Sequence, residues 1–207
     1  MKFYSTCGEY LTKIKEHASK KLKESDFWMI VITNLLKENI TYQNSKINYR
    51  LARNTRDYQM AENVKWLVEN KYSDQKIIVW AASGHVAKYA DSSNKEKTMV
   101  AMGSYFTKDS SLFKSTYIIG FTSYEGEAGR LGSKIYSVNK PKSDGFENWI
   151  DEKYDYAFVD FKNYRKLFPG QHEKFFLKGL SHISFKTEWI RLFDGIFYVK
   201  KMYACER

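Results

Sequence analysis

A chain of 207 residues, 43% hydrophobic and 17% aromatic, is long enough to bury a sizeable core and is not disordered by composition. Its longest apolar run, Phe27 to Ile32, is far short of a bilayer span, and its polar, basic start has no secretory h-region, so no membrane partner is expected. The net charge of +10 sits in the flanks: Lys and Arg against Asp and Glu count 9 to 5 over residues 1–50, 15 to 15 over 51–160 and 10 to 4 over 161–207. A nucleic-acid module concentrates its basic residues on the element that reads the polymer, so no nucleic-acid partner is expected either.

Cys7 and Cys205 stand near opposite ends and share neither metal-ligand nor redox spacing, which predicts two thiols in a reducing, cytoplasmic compartment. With two prolines and charge spread throughout, no linker is marked. The expected organisation is one unit over 1–207, with residues 1–50 as a helical lead-in and 51–207 as the α/β part.

In chain order, Thr12 to Leu22 lacks strong helix breakers and carries an Ile14, Ala18, Leu22 stripe, which predicts a helix with one apolar edge. The lysines of KEHASKKLK, Lys15 to Lys23, read as its solvated face. A second helix is predicted from Asp26 through Glu38, with Ser25 or Asp26 as cap. Met60, Val64, Leu67 and Val68 predict a third, with Asn54 or Thr55 as N-cap and Asp57 near the positive end of the dipole. KIIVWA, residues 76–81, is a continuous β-branched apolar run that suits a strand buried on both faces. Met99, Met102, Gly103 and Phe106 make a further helical stripe, and strands are expected near 115–122, 155–161 and 194–200. FENWIDEK reads as a short helix and YEGEAGRLGSKIYSV as a glycine-punctuated loop or hairpin. Alternating helix and buried strand predicts an α/β fold with a mainly parallel central sheet flanked by helices.

Sites in open α/β sheets lie beyond the carboxyl ends of strands, where loops and helix N-termini converge. The segment AASGH occupies that place after Ile77 to Trp80, which makes His85 the first candidate, although a lone histidine is more often a polar residue opening a helix.

RDYQMAENVKWLVENKYSDQKIIVWAASGHVAK, followed by MGSYF and YIIGFTSYEGE, resembles the erythromycin esterase family over Arg56 to Glu127, and FDGIFYVKK resembles that family's last strand. The resemblance implies an erythromycin esterase-like α/β fold. It also implies a hydrolase acting on a carboxylic, macrolactone ester, with a link to macrolide resistance. In that family the strand ends in a W-A-H-N-x-H pattern whose two histidines face a deep cleft. The second histidine maps onto His85, the first onto Ala82 and the asparagine onto Ser83. Alanine supplies neither a base nor a donor for a developing oxyanion.

The family also carries an upstream histidine and acidic residues. Here only 55 residues precede Arg56, and the one histidine among them, His17, lies in a lysine-rich helix. The chain resembles the family's carboxyl-terminal half. The resemblance therefore leaves two readings, an ester hydrolase and a truncated, non-catalytic remnant or ligand-binding domain. A fold built across both halves would leave an exposed edge here and favour self-association.

Within the hydrolase reading, His85 polarises the substrate or holds a water, with Glu125 and Glu127 as carboxylate partners. Arg56, Asp57 and Ser83 fall to the substrate. Arg56 and Asp57 match the family's R-D pair, where an arginine could bind a carboxylate or order an acid. The competing reading makes them a capping and surface pair, and makes Glu125 and Glu127 solvated loop charges. No cofactor or metal is expected: there is no phosphate-binding loop and no G-x-S-x-G elbow. His172 and His182 stand ten apart, a spacing that suits no helical metal pair, and read as structural. Trp66, Met99, Met102 and Tyr105 read as packing residues. The expected substrate partner is a small-molecule ester.

Overall fold

A computed structural model of the chain describes residues 2–88 and 99–205. These divide into two compact units: residues 2–80 with 99–114, and residues 81–88 with 115–205. The first is helical and runs on past residue 50. The second holds every strand among the described residues.

The helical unit contains α1 (Lys2–Ala18), α2 (Phe27–Asn44) and α3 (Tyr49–Trp66), with a π turn over Leu67–Lys71. Helix α1 begins earlier and ends earlier than its apolar stripe predicts. The Ser19 hydroxyl donates to the Glu16 carbonyl and the Asp26 carboxylate takes the Lys23 N–H, local bonds that compete with continued helix. Asp26 is the N-cap residue of α2, as expected. For α3 the cap is Asn48, whose side chain accepts from Leu51 N, so Asn54 and Thr55 lie inside the helix rather than at its start. Helix α2 packs against α1 and α3 around Met29, Ala52 and Ala61, all nearly or fully buried. This unit is completed by α5 (Met102–Phe106) and α6 (Ser110–Ser115).

The second unit begins with α4 (Ser83–Val86) and centres on a four-stranded sheet in the order β2, β1, β6, β3. These are β1 (Ile119–Ala128), β2 (Tyr136–Val138), β3 (Tyr156–Asp160) and β6 (Gly195–Met202). Strands β1 and β6 are parallel, while β2 and β3 pair antiparallel on either side, so the α/β class holds but the sheet is mixed rather than mainly parallel. The reason is connectivity. YEGEAGRLGSKIYSV closes β1 onto β2 as a hairpin, the outcome its glycines allow. A second sheet of β4 (Phe175–Leu177) and β5 (Phe185–Thr187), a 3-10 turn over Phe146–Trp149, α7 (Phe161–Leu167) and α8 (Trp189–Leu192) complete the unit.

One face of the four-stranded sheet is buried. Gly120 and Thr122 of β1 and Ile196 and Tyr198 of β6 point the same way, with Phe193 against Gly120. Gly120 has no side chain because a Cβ there would lie 2.8 Å from Ile196 and 2.9 Å from Phe193. Phe146, Phe161 and Phe175 form an aromatic cluster with ring centroids 5.7–6.1 Å apart, fixing the 3-10 turn to α7 and β4.

The stretch 76–82 is the main departure from expectation: it has no regular secondary structure and joins no ladder, with Ile78 91% and Trp80 84% exposed. Continuous hydrophobicity reports a demand for burial, and a strand also needs a neighbour. None of the described strands supplies one.

Gly126 sits at φ +126°, where β1 meets both β2 and β6, and a Cβ there would lie 2.1 Å from the Met202 carbonyl oxygen. Gly126→Ala is therefore expected to destabilise the fold by about 2 kcal/mol or more, read as a lower midpoint in urea denaturation; an unchanged midpoint contradicts this backbone geometry.

Candidate functional site

Ala82 caps α4 from an extended conformation (φ −60°, ψ 143°), and its carbonyl accepts the His85 N–H at 2.8 Å. His85 is half-buried on this single turn, which packs against β1. Ser83 opens the turn, its carbonyl accepting the Ala87 N–H at 3.1 Å. The residues that follow are held firmly. Ala87 is buried, and the Lys88 N–H donates to the Leu192 carbonyl at 2.9 Å.

The Lys88 ammonium forms a short ion pair with Asp194, whose side chain is almost wholly buried. Asp194 also accepts from Arg165 Nη2 at 2.6 Å and from the Ile118 N–H at 2.8 Å. Arg165 in turn donates to the carbonyls of Ile190 and Phe193. Burial holds Lys88 below its ordinary value, and the Asp194 carboxylate opposes that shift. Beside this cluster the Tyr117 hydroxyl donates to Asp160 at 2.9 Å, and burial together with that bond pushes the phenol up. The Asn163 N–H, which Asp160 accepts as the cap of α7, lowers the Asp160 carboxyl.

Glu125 and Glu127 lie within β1 and not in a loop, because the strand runs on to Ala128. Glu125 pairs with Lys140 at 3.6 Å. Glu127 lines a surface cleft of about 440 Å³ with Arg130, Ile135, Tyr203 and Cys205. Among the described residues, neither makes a hydrogen bond or ion pair to His85.

Arg56 and Asp57 belong to the helical unit and sit mid-helix in α3. Arg56 is exposed and Asp57 fully buried. Asp57 accepts from Met102 N at 3.2 Å, and Asn54 accepts from Val100 N at 2.9 Å. The acid thus caps the entry to α5 rather than its own helix. Tyr105, against Tyr58 at 5.3 Å, has its hydroxyl pushed up by burial and then by Asp57.

Sequence reasoning misses a second buried cluster. Glu147 is fully buried, with Oε1 accepting from the Thr122 hydroxyl at 2.5 Å and from Lys178 N at 2.8 Å. The Lys178 ammonium, also buried, donates to the carbonyls of Tyr124 and Asn139 at 2.7 and 2.6 Å, bracing the β1–β2 hairpin. His182 packs on Tyr136, and burial, followed by Lys178, lowers its imidazole, consistent with a structural role. The only forewarning in the sequence is a lysine between the apolar FFL and GL, a charge in a run that wants burial.

The erythromycin esterase family model matches residues 5–202. The chain belongs to the erythromycin esterase family. Three solved structures share its fold. A Bacillus cereus protein is 20% identical with a TM-score of 0.62, covering 97% of this chain and 51% of that one. A succinoglycan biosynthesis protein is 18% identical with a TM-score of 0.70, covering 98% and 51%. An erythromycin esterase mutant, EreC, in its open conformation is 16% identical with a TM-score of 0.64, covering 96% and 51%. This member of the family thus spans about half the length of the solved chains it matches. No curated protein matches it. None of its described helices is long and apolar enough to cross a membrane.

Burial depresses Lys178 below its ordinary 10.5, with Glu147 and Glu125 opposing, so the folded state binds its proton less tightly than the unfolded chain does. Between the lowered folded-state value and 10.5, wild type is expected to gain stability relative to Lys178→Met as pH rises. Urea denaturation of both proteins at intervals from about pH 8 to about pH 11 checks the sign. Wild type losing stability relative to Lys178→Met as pH rises contradicts it.

Proposed function

We propose that this protein is a hydrolase of carboxylic esters, acting on a small-molecule macrolactone, with His85 as the side chain that meets the reacting groups. The observation that carries this reading is the family match over residues 5–202, within which His85 stands on a turn tied down by Lys88 and Asp194. Water adds to the ester carbonyl, the acyl C–O bond breaks, the alkoxide takes up a proton, and the ring opens to a single product carrying both the carboxylic acid and the alcohol. His85 donates to the developing oxyanion or holds the attacking water. Ser83 contributes to substrate binding in this reading, and Glu125 and Glu127 supply carboxylates from β1. The cell use is a response to macrolide antibiotics in the cytoplasm.

A second reading is favoured by two observations. Ala82 stands where the family pattern has a histidine, and the chain spans 51% of its solved relatives. In it, the protein keeps a ligand-binding surface without the chemistry, and it associates with itself or with a companion chain.

Hydrolysis of a 14-membered macrolactone by the purified chain, followed by mass spectrometry, separates the two. In the hydrolase reading, His85→Gln lowers the rate about 100-fold or more, His172→Gln leaves it unchanged, and Ala82→His raises it. Equal rates for wild type and His85→Gln remove His85 from the chemistry. A rate at background for wild type and Ala82→His alike leaves the binding reading, tested by whether the macrolactone raises Tm.

A further inference from the structure

The loop that joins β4 to β5 holds its backbone in a conformation that its residues resist. Leu180 to Ile183 form a tight turn, closed by the Ile183 N–H donating to the Leu180 carbonyl at 3.3 Å. Its two central residues, Ser181 and His182, have φ of 56° and 59°. Positive φ at both central positions belongs to the mirror-image turns that glycine, asparagine and aspartate dominate, and here a serine and a histidine bear it instead. Such a turn persists only where its surroundings hold it. Its root is firm: a Cβ on Gly179 would lie 2.9 Å from the Trp189 ring, and the Lys178 ammonium donates to the carbonyls of Tyr124 and Asn139. Its tip is held through the His182 ring, which lies against Tyr136 of β2 with centroids 6.4 Å apart. All of these residues belong to the sheet unit.

Only one charge state suits that ring. His182 Nδ1 is buried without a hydrogen-bond partner, and so is the hydroxyl of Ser184 two residues on. A neutral imidazole can carry its proton on Nε2 and leave Nδ1 a bare lone pair, whereas an imidazolium carries an N–H on both nitrogens. Protonation therefore places a positive charge and a buried N–H without an acceptor at this position. The charge that faces the ring, the Lys178 ammonium at the end of β4, has the same sign. From β2 the ring meets the Tyr136 phenol. Glu147, on the 3-10 turn, is bonded to the Thr122 hydroxyl and the Lys178 amide, and among the described residues no carboxylate pairs with the imidazole.

We propose that His182 is an acid-operated latch: with the imidazole neutral the Leu180–Ile183 turn stays on Tyr136, and with a proton taken from solvent the turn lets go. The latch is independent of the ester-hydrolase reading. Release is confined to the turn, because Lys178 and Gly179 stay fixed at its root, and it uncovers Tyr136 on β2, the three-residue strand at the edge of the sheet. Burial, then Lys178, holds the imidazole below its ordinary 6.5, so the closed turn binds the proton less tightly than the open one. The closed turn is therefore fully favoured above pH 6.5 and loses ground as pH falls from there through the lowered value.

Two-dimensional NMR on the full chain, from about pH 7.5 to about pH 5, tests it. In wild type, nuclear Overhauser contacts between the His182 and Tyr136 rings are expected at the upper end and lost at the lower, with the His182 ring titrating below 6.5. Amides linking β1 to β6 are expected to keep their exchange protection throughout, which separates release of a turn from acid unfolding. His182→Asn accepts the left-handed conformation and does not titrate, so its backbone shifts over residues 180–184 are expected to be the same at both ends of the range. A ring contact that survives at the lower end overturns the proposal, and so does a His182 midpoint at or above 6.5. A sheet that loses protection together with the turn overturns it as well, as does a turn in His182→Asn that moves with pH as in wild type. Should His182→Asn misfold, Ser181→Gly gives the second measurement. Glycine takes positive φ without strain, so the closed turn is stabilised and the ring contact is expected to persist to lower pH than in wild type. Loss at the same or a higher pH overturns the proposal.

Discussion

A single buried carboxylate organises the sheet unit. Asp194 has almost no access to water, and an isolated charge there would cost several kcal/mol, so its surroundings must answer it with cations and N–H donors. They do so from distant parts of the chain: Lys88 after α4, Arg165 in α7 and the Ile118 amide at the start of β1. Arg165 extends the network to the carbonyls of Ile190 and Phe193, at the end of α8 and the entry to β6. Removal of any one partner leaves the others buried and undercompensated, which is why this cluster reads as a constraint and not as surface decoration. It also delivers the turn bearing His85 to the sheet, three residues before Lys88.

Glu147 plays the corresponding part further along β1. It takes the Thr122 hydroxyl from the strand and the Lys178 amide from the end of β4, while Lys178 spans to carbonyls at Tyr124 and Asn139 on the two sides of the β1–β2 hairpin. Two carboxylates thus tie β1 to elements that follow it by tens of residues. The remaining work is apolar: Trp189, Phe193, Leu177 and Ile196 are wholly excluded from solvent on the covered face.

Much of this was legible in the sequence where physics is local. The helical stripes, the hairpin, three strands and the Asp26 cap follow from periodicity and turn chemistry, and RDYQMAEN through IVWAASGHV carried the family. What local pattern could not supply was partnership. KIIVWA asks for a sheet, but whether a neighbour exists is not written in those six residues. Lys88 and Asp194 lie 106 positions apart, and neither is unusual alone. Asp57 sits mid-helix because α3 begins at Tyr49, capped by an asparagine that the apolar stripe did not reach. The glycines at 126 and 129 suggest a turn, which would put Glu125 and Glu127 in a loop. Gly126 instead lets the strand continue through a conformation that other residues resist. Of the candidate site, the helical turn at His85 was readable, whereas the strand expected to lead into it is absent among the described residues and the anchor that holds the turn is not written locally.

The Lys88–Asp194 ion pair holds the His85 turn onto the sheet. Amide hydrogen exchange on Lys88→Met measures this most directly, since Asp194 keeps Arg165 and Ile118 and the sheet stays paired. Exchange at residues 87 and 88 is predicted to quicken at least about 10-fold, corresponding to a loss of about 1.4 kcal/mol, while the amides linking β1 to β6 keep their protection. A folded variant in which residues 87 and 88 exchange at the wild-type rate would contradict it.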